Sequence, residues 1–133
     1  MGVEVLVLEK TNHPRGKPYG DGLTPPALDV LERMGALSEI LKRNPYLIKG
    51  IRFFSPLGRD LEVTLSRVSG IRGHAYVLPR GELQEALTDY VCGQEGVELL
   101  WGRKLVGVLP AEQGMCKLRI RHGKSIRSCV PGS

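Results

Sequence analysis

MGVEVLVLEK, residues 1–10, is the stretch on which the fold turns. Val3, Val5, Leu6, Val7 and Leu8 form an apolar, largely β-branched run that closes on an acid, Glu9. Runs of this kind suit a strand buried on both faces, as in parallel sheets covered by helices. Parallel neighbours are joined by crossover connections of a dozen or more residues. Only two residues precede the run. The reading is therefore a strand over residues 3–8 whose partner lies outside this chain. Its unpaired edge, with free backbone donors and acceptors, implies self-association.

Outward from that strand, TNHPRGKPYGDG is rich in Gly and Pro and reads as a loop. LTPPALDVLERMG then reads as a helix over residues 25–34, with Thr24 as N-cap, Pro25 at its first position and Gly35 as its stop. A short second turn is expected around Ser38 to Lys42. IKGIRFFSP and RDLEVTL flank a Pro-Leu-Gly turn and predict a hairpin. HAYVLP is a further short strand. In RGELQEALTDYVCGQEG, Leu83, Ala86, Leu87, Tyr90 and Val91 share one helical face, which predicts a helix over about 81–93. VELLWG, KLVGVLP and MCKLRIRHG read as strands, with most of 97–121 an antiparallel set and Trp101 a core residue on its strand. The fold class is mixed α/β.

Composition sets limits on function. The chain has 133 residues, 41% hydrophobic and 25% charged, enough for one domain with a real core. No apolar run approaches membrane-span length, and no basic region followed by a hydrophobic stretch marks a signal peptide. Cys92, Cys116 and Cys129 show no metal-ligand spacing, so free thiols in a reducing cytoplasm are expected. His13, His74 and His122 lie far apart in sequence with no Cys or acid at ligand spacing, and no metal is expected. Residues 1–100 carry twelve Lys/Arg against thirteen Asp/Glu, whereas residues 101–133 carry seven against Glu112 alone. Such asymmetry fits a nucleic-acid arm or a solvated strand face. Lys117, Arg119 and Arg121 alternate with Leu118 and Ile120 as in a half-buried strand, and no Phe or Tyr offers stacking. A small basic module contacting nucleic acid through residues 117–127 is the alternative reading. Specific nucleic-acid binding is not expected.

Two stretches carry candidate chemistry. An acid ending a strand, as Glu9 does, suits the ribose hydroxyls of a dinucleotide, although a surface acid at a strand end looks the same. In PRGKPYGDGLTP, residues 14–25, Gly16, Gly20 and Gly22 allow special backbone geometry or close ligand approach. Arg15 and Lys17 place cations where a diphosphate could be met. An ordinary surface loop before a Pro-set helix fits the same residues.

VLVLEK followed by PRGKPYGDGLTPPALDVLERMG, then YVLPRGELQEAL and GVELLWGRKLVGVLP, resembles FAD-dependent oxidoreductases of the geranylgeranyl reductase family, related to the broader flavin monooxygenase-like group. The resemblance covers roughly residues 2–121, with K-P-x-G-D-G-L-T-P its most specific part. It implies a partial FAD-binding Rossmann-like domain lacking its first βα unit, with strands that begin a mixed or antiparallel substrate-domain sheet. Residues 1–133 would be a single incomplete domain: 1–47 and 78–121 the cofactor part, 48–77 the start of the substrate sheet, and 122–133 a tail. By the same resemblance Glu9 would hold the adenosine ribose, and Arg15 and Lys17 would border FAD. The loop with Gly20 and Gly22 would pass near the flavin ring, and Arg80 would add a cationic contact. Asp21 would be a proton donor near flavin or a loop cap.

The family reduces isoprenoid double bonds with hydride from reduced flavin. The implied partners are thus FAD and, in a full-length relative, an isoprenoid or other lipid-like substrate, in a cytoplasmic or membrane-peripheral protein. Tyr19 stands where the family commonly has Cys. The Gly-rich fingerprint that precedes such a first strand is missing, so the chain alone is expected to be inactive and unable to hold FAD.

Overall fold

The computed structural model describes residues 3–13, 20–70, 72–110 and 116–129. In chain order the elements are β1 (Val5–Leu8), β2 (Gly20–Leu23), α1 (Pro25–Met34), α2 (Leu37–Leu41) and β3 (Tyr46–Ile48). There follow β4 (Gly50–Phe53), β5 (Leu61–Thr64), a single 3-10 turn (Leu65–Arg67), β6 (Ala75–Pro79) and α3 (Arg80–Cys92). The last four are β7 (Val97–Leu100), β8 (Lys104–Pro110), β9 (Cys116–His122) and β10 (Ser125–Cys129). The chain divides into two compact units, Met1–Arg15 with Val91–Ser133, and Gly16–Tyr90.

The unit of residues 16–90 holds the main core. Leu23, Leu28, Leu37, Ile40, Leu78 and Ala86 are buried together, with Leu31, Tyr76, Leu83 and Leu87 packed against them. The contributors come from β2, α1, α2, β6 and α3, so one small core ties five elements. Each fully buried leucine contributes about 1.5–3 kcal/mol relative to exposure. Helix α1 begins as its sequence dictates: Thr24 is extended, at φ −67 and ψ 159, and Pro residues fill the first turn. Its hydroxyl makes no capping bond. Pro25 and Pro26 have no N–H to be capped, so little is lost. Gly35 ends the helix at φ 82, and the N–H groups of Gly35 and Ala36 return to Glu32 O and Leu31 O. That left-handed conformation is why a glycine stands there.

Three strands of this unit form an antiparallel sheet in the order β2-β6-β3. Asp21 lies opposite Leu78 and Gly20 opposite Pro79, so β2 runs alongside the strand that feeds directly into α3. The expected boundaries at 47/48 and 77/78 both fall within this sheet, because Ile48 pairs with Ala75 and Tyr46 with Val77. The expected hairpin is β4–β5, in register from Gly50 opposite Thr64 to Phe53 opposite Leu61.

In the other unit, the first strand does find a partner within the chain. β1 runs parallel to β7, with Val5 opposite Val97 and Leu8 opposite Leu100. This corrects two expectations: the partner is not wholly outside the chain, and residues 97–100 do not belong to the antiparallel set. Nor is β1 buried on both faces, since Val5 and Val7 are exposed and Leu6 and Leu8 half-buried. Its other edge has no partner among the described residues. Trp101 is half-buried in the turn after β7 rather than on a strand. The antiparallel sheet has the order β10-β9-β8. Here the supposed tail is corrected as well. Gly123 and Lys124 make a two-residue turn, Ser125 pairs with His122, and β10 completes the sheet. Leu118 is half-buried and Ile120 buried between exposed basic neighbours, which is the alternation of a half-buried strand. No helix among the described residues is long and apolar enough to cross a membrane.

Candidate functional site

Glu9 follows directly on β1, and the parallel pairing with β7 carries on past it. Its N–H donates to Leu100 O at 3.0 Å, and its own carbonyl accepts from Arg103 N at 2.8 Å. Gly102 N–H donates to Thr11 O at 2.8 Å, so residues 9–11 are bound to 100–103 by backbone alone. The side chain is held too. Glu9 Oε1 accepts from the backbone N–H of Thr11 at 2.8 Å and from its hydroxyl at 2.9 Å. These two donors, the backbone one first, keep the Glu9 carboxyl below its ordinary range, and Lys10 assists. Hydrogen bonding to the charged form is the physical cause. A carboxylate so fixed is ionised and oriented at the strand end, where it can accept from an incoming hydroxyl.

The second group lies in the unit of residues 16–90. Arg80 opens α3 immediately after β6, and Asp21 sits on β2, the neighbouring strand. The register brings them together. Arg80 Nε donates to Asp21 Oδ2 at 2.9 Å and Arg80 Nη2 to Oδ1 at 2.8 Å, a two-pronged ion pair. The hydrogen bonds from Arg80 lower the Asp21 carboxyl below its usual value, and Asp21 in turn raises Arg80. Asp21 is thus ionised at neutral pH and acts as an acceptor, neither a proton donor nor a loop cap. The pair presents no net charge. What Arg80 offers an anion is the N–H groups that Asp21 does not take, as a planar guanidinium has five.

Of the other expected site residues, Arg15 and Lys17 lie outside the described residues, as does Tyr19. Gly20 and Gly22 sit on β2, and neither has a positive φ. A Cβ on Gly22 would meet nothing within 4 Å, and one on Gly20 would make ordinary contact with Leu78 O at 3.5 Å. Their conformational freedom is therefore not what this strand requires. His74 stacks edge-on with Tyr76, whereas His13 and His122, distant in sequence, line one cleft. No group of three or more His, Cys, Asp or Glu side chains among the described residues could hold a metal ion. Sequence reasoning missed Thr11 and Asp21 as partners. A Glu-x-Thr spacing could have suggested the first. The second needs the strand register.

Comparison with known proteins fits this frame. No protein-family model matches the chain. Solved structures of flavin-dependent enzymes superpose on nearly all of it. Among other solved structures, p-nitrophenol 4-monooxygenase from Pseudomonas putida matches 97% of this chain and 33% of its own, with a TM-score of 0.77 at 17% identity. The fold is that of a segment of these enzymes. In sequence, a menaquinone reductase of Mycolicibacterium smegmatis is 32% identical over 113 residues, covering 85% of this chain and 26% of the relative. A rifampicin monooxygenase of Streptomyces venezuelae is 30% identical over 129 residues, covering 96% and 25%. The chain thus spans about a quarter of the length of the curated relatives it matches. Its resemblance is to FAD-dependent oxidoreductases broadly, reductases and monooxygenases alike.

Proposed function

We propose that this chain is the part of an FAD-dependent oxidoreductase that receives the adenosine end of the cofactor, and that the whole enzyme reduces double bonds in isoprenoid chains. The observation that carries the first half is Glu9: an ionised carboxylate fixed by Thr11 at the end of a parallel strand. A ribose diol needs such an acceptor, and the likeness to flavin-dependent enzymes supports FAD as the nucleotide. When bound and reduced, FAD supplies the hydride chemistry, and the protein binds and orients it. Glu9 would hold the ribose, and Arg80, braced by Asp21, would offer its remaining N–H groups to a cofactor oxygen. Arg15 and Lys17 would border the same molecule.

The isoprenoid reading rests on the resemblance to geranylgeranyl reductases and is supported by the similarity to a reductase of menaquinone, a quinone that carries an isoprenoid chain. The chain by itself is not expected to retain FAD, since exposed polar contacts of about 1 kcal/mol each leave affinity near the millimolar range. The test therefore uses a chimera. Residues 3–110 replace the similar stretch of the M. smegmatis menaquinone reductase, and flavin per protein is read from absorbance after desalting. The chimera should come off the column yellow, and Glu9→Gln should lower its retained FAD at least tenfold. Equal flavin content in the two would sink the assignment of Glu9. The isoprenoid half is tested on the whole enzyme rather than the chimera: saturation of an isoprenoid double bond supports the reductase reading, and a hydroxylated product overturns it.

A further inference from the structure

In the unit of residues 1–15 and 91–133, a cleft of about 710 Å³ opens between three pieces of chain. Lys10, Asn12 and His13 come from the segment after β1, Lys104 from the start of β8, and Arg121 and His122 from the end of β9. Its charge is one-sided, for no Asp or Glu among the described residues lines it. Arg43, Arg52, Arg72 and Arg80 each hold a carboxylate, whereas Arg33, Arg59 and Arg67 hold none among the described residues. Lys10, Lys104 and Arg121 form no ion pair among the described residues. Lys104 and Arg121 also stand directly opposite each other on neighbouring strands, and so project from the same face. Like charges so placed repel. A fold that accepts this arrangement gains from a ligand that neutralises it.

The walls are fixed by backbone rather than by flexible side chains. Gly102 N–H donates to Thr11 O at 2.8 Å. Gly102 has a φ of +66, and a Cβ there would fall 2.5 Å from Asn12 Oδ1. Gly123, at φ +58, makes the tight β9–β10 turn that carries His122 to the rim. The volume lies within the range of about 300–1,000 Å³ usual for small-molecule sites.

We infer that this cleft binds a small phosphorylated molecule, with its phosphate on Arg121, Lys104 and Lys10 and its organic part against Asn12 and the two histidines. Arg121 supplies the planar fork that matches phosphate oxygens, and the lysines supply point charge. The cleft adjoins the Glu9 site, since Thr11 lines it and fixes Glu9, but Lys104 and Arg121 have no part in the flavin reading, so their variants and Glu9→Gln fail separately.

The test is isothermal titration of the full 133-residue chain with inorganic pyrophosphate, orthophosphate and AMP, with sulfate as the comparison anion. One saturable site is expected for pyrophosphate, tighter than for sulfate. Arg121→Gln and Lys104→Gln should each weaken it at least tenfold, Arg121→Lys by less, and Arg59→Gln in the β4–β5 loop not at all. Circular dichroism of each variant separates loss of the site from loss of the fold. Tighter binding of AMP than of orthophosphate would assign a nucleotide, and equal binding would assign the phosphate alone. No saturable binding, or wild-type affinity in a folded Arg121→Gln, overturns the proposal. So does affinity for oligonucleotides that exceeds that for every small anion.

Discussion

Leu78→Ala tests whether the core of residues 16–90 is the frame that presents Asp21 and Arg80. Leu78 is 1% exposed on the central strand of β2-β6-β3, opposite Asp21 and two residues before Arg80. Removing three carbons at about 0.8 kcal/mol per methylene loses about 2.4 kcal/mol of transfer free energy. A residual cavity of about 50 Å³, at about 24 cal/mol per Å³, adds about 1.2 kcal/mol. The sum, about 3.6 kcal/mol, corresponds to a drop of about 14–29 °C in melting temperature for a unit of this size. Leu57→Ala is the control, since Leu57 is 90% exposed and its loss should stay within about 0.5 kcal/mol. Both are read by urea and thermal unfolding followed by circular dichroism. A Leu78→Ala protein as stable as Leu57→Ala would refute the core assigned here.

The pH dependence of stability follows from two carboxylates. Glu9 and Asp21 both have lowered pKa values, so each stabilises the fold above its ordinary value, 4.5 or 3.8, and that contribution is lost as pH falls through the lowered value. Unfolding free energy should be flat above about pH 5 and decline below it, and Glu9→Gln with Asp21→Asn should make that acid decline shallower; an unchanged slope argues against the Thr11 and Arg80 contacts. Gly50→Ala should open the β4–β5 hairpin, because its Cβ would lie 2.8 Å from Val63 O. Amide exchange across residues 50–53 and 61–64 should then quicken, and wild-type protection in the variant would show that the strands can part at no cost.

Much of this architecture is legible in the sequence because it is written in local chemistry. Pro25 and Gly35 bracket α1 through φ preferences that act residue by residue. Arg80–Cys92 and the β4–β5 hairpin likewise follow from apolar spacing and turn residues. What escaped is what depends on pairing. A run such as Val5–Leu8 announces a strand, but nothing in it names Val97–Leu100 as the neighbour. The β9–β10 turn is only Gly123 and Lys124, too brief a signal to convert a supposed tail into a strand. The candidate site divides in the same way. Glu9 is readable from its place at a strand end. The Asp21–Arg80 pair joins residues 59 positions apart and exists only through the β2–β6 register. The cleft of Lys10, Lys104 and Arg121 has the same origin, which is why the charge count located an excess of cations without locating its use.

The parallel partnership of β1 and β7 has a consequence for the order of events on the ribosome. Val97, the partner of Val5, is made 92 residues later. At about 5–20 residues per second, the first strand waits about 5–18 seconds for its neighbour. During that interval residues 16–90 are synthesised and have every contact of their own core available. The nascent chain therefore has the contacts of that core before β7 exists, and the backbone edge of β1 that β7 takes stays open through the interval. Slowing translation between residues 16 and 96 would prolong that exposure and favour capture by chaperones, whereas a chain delivered whole would close β1 onto β7 without the delay.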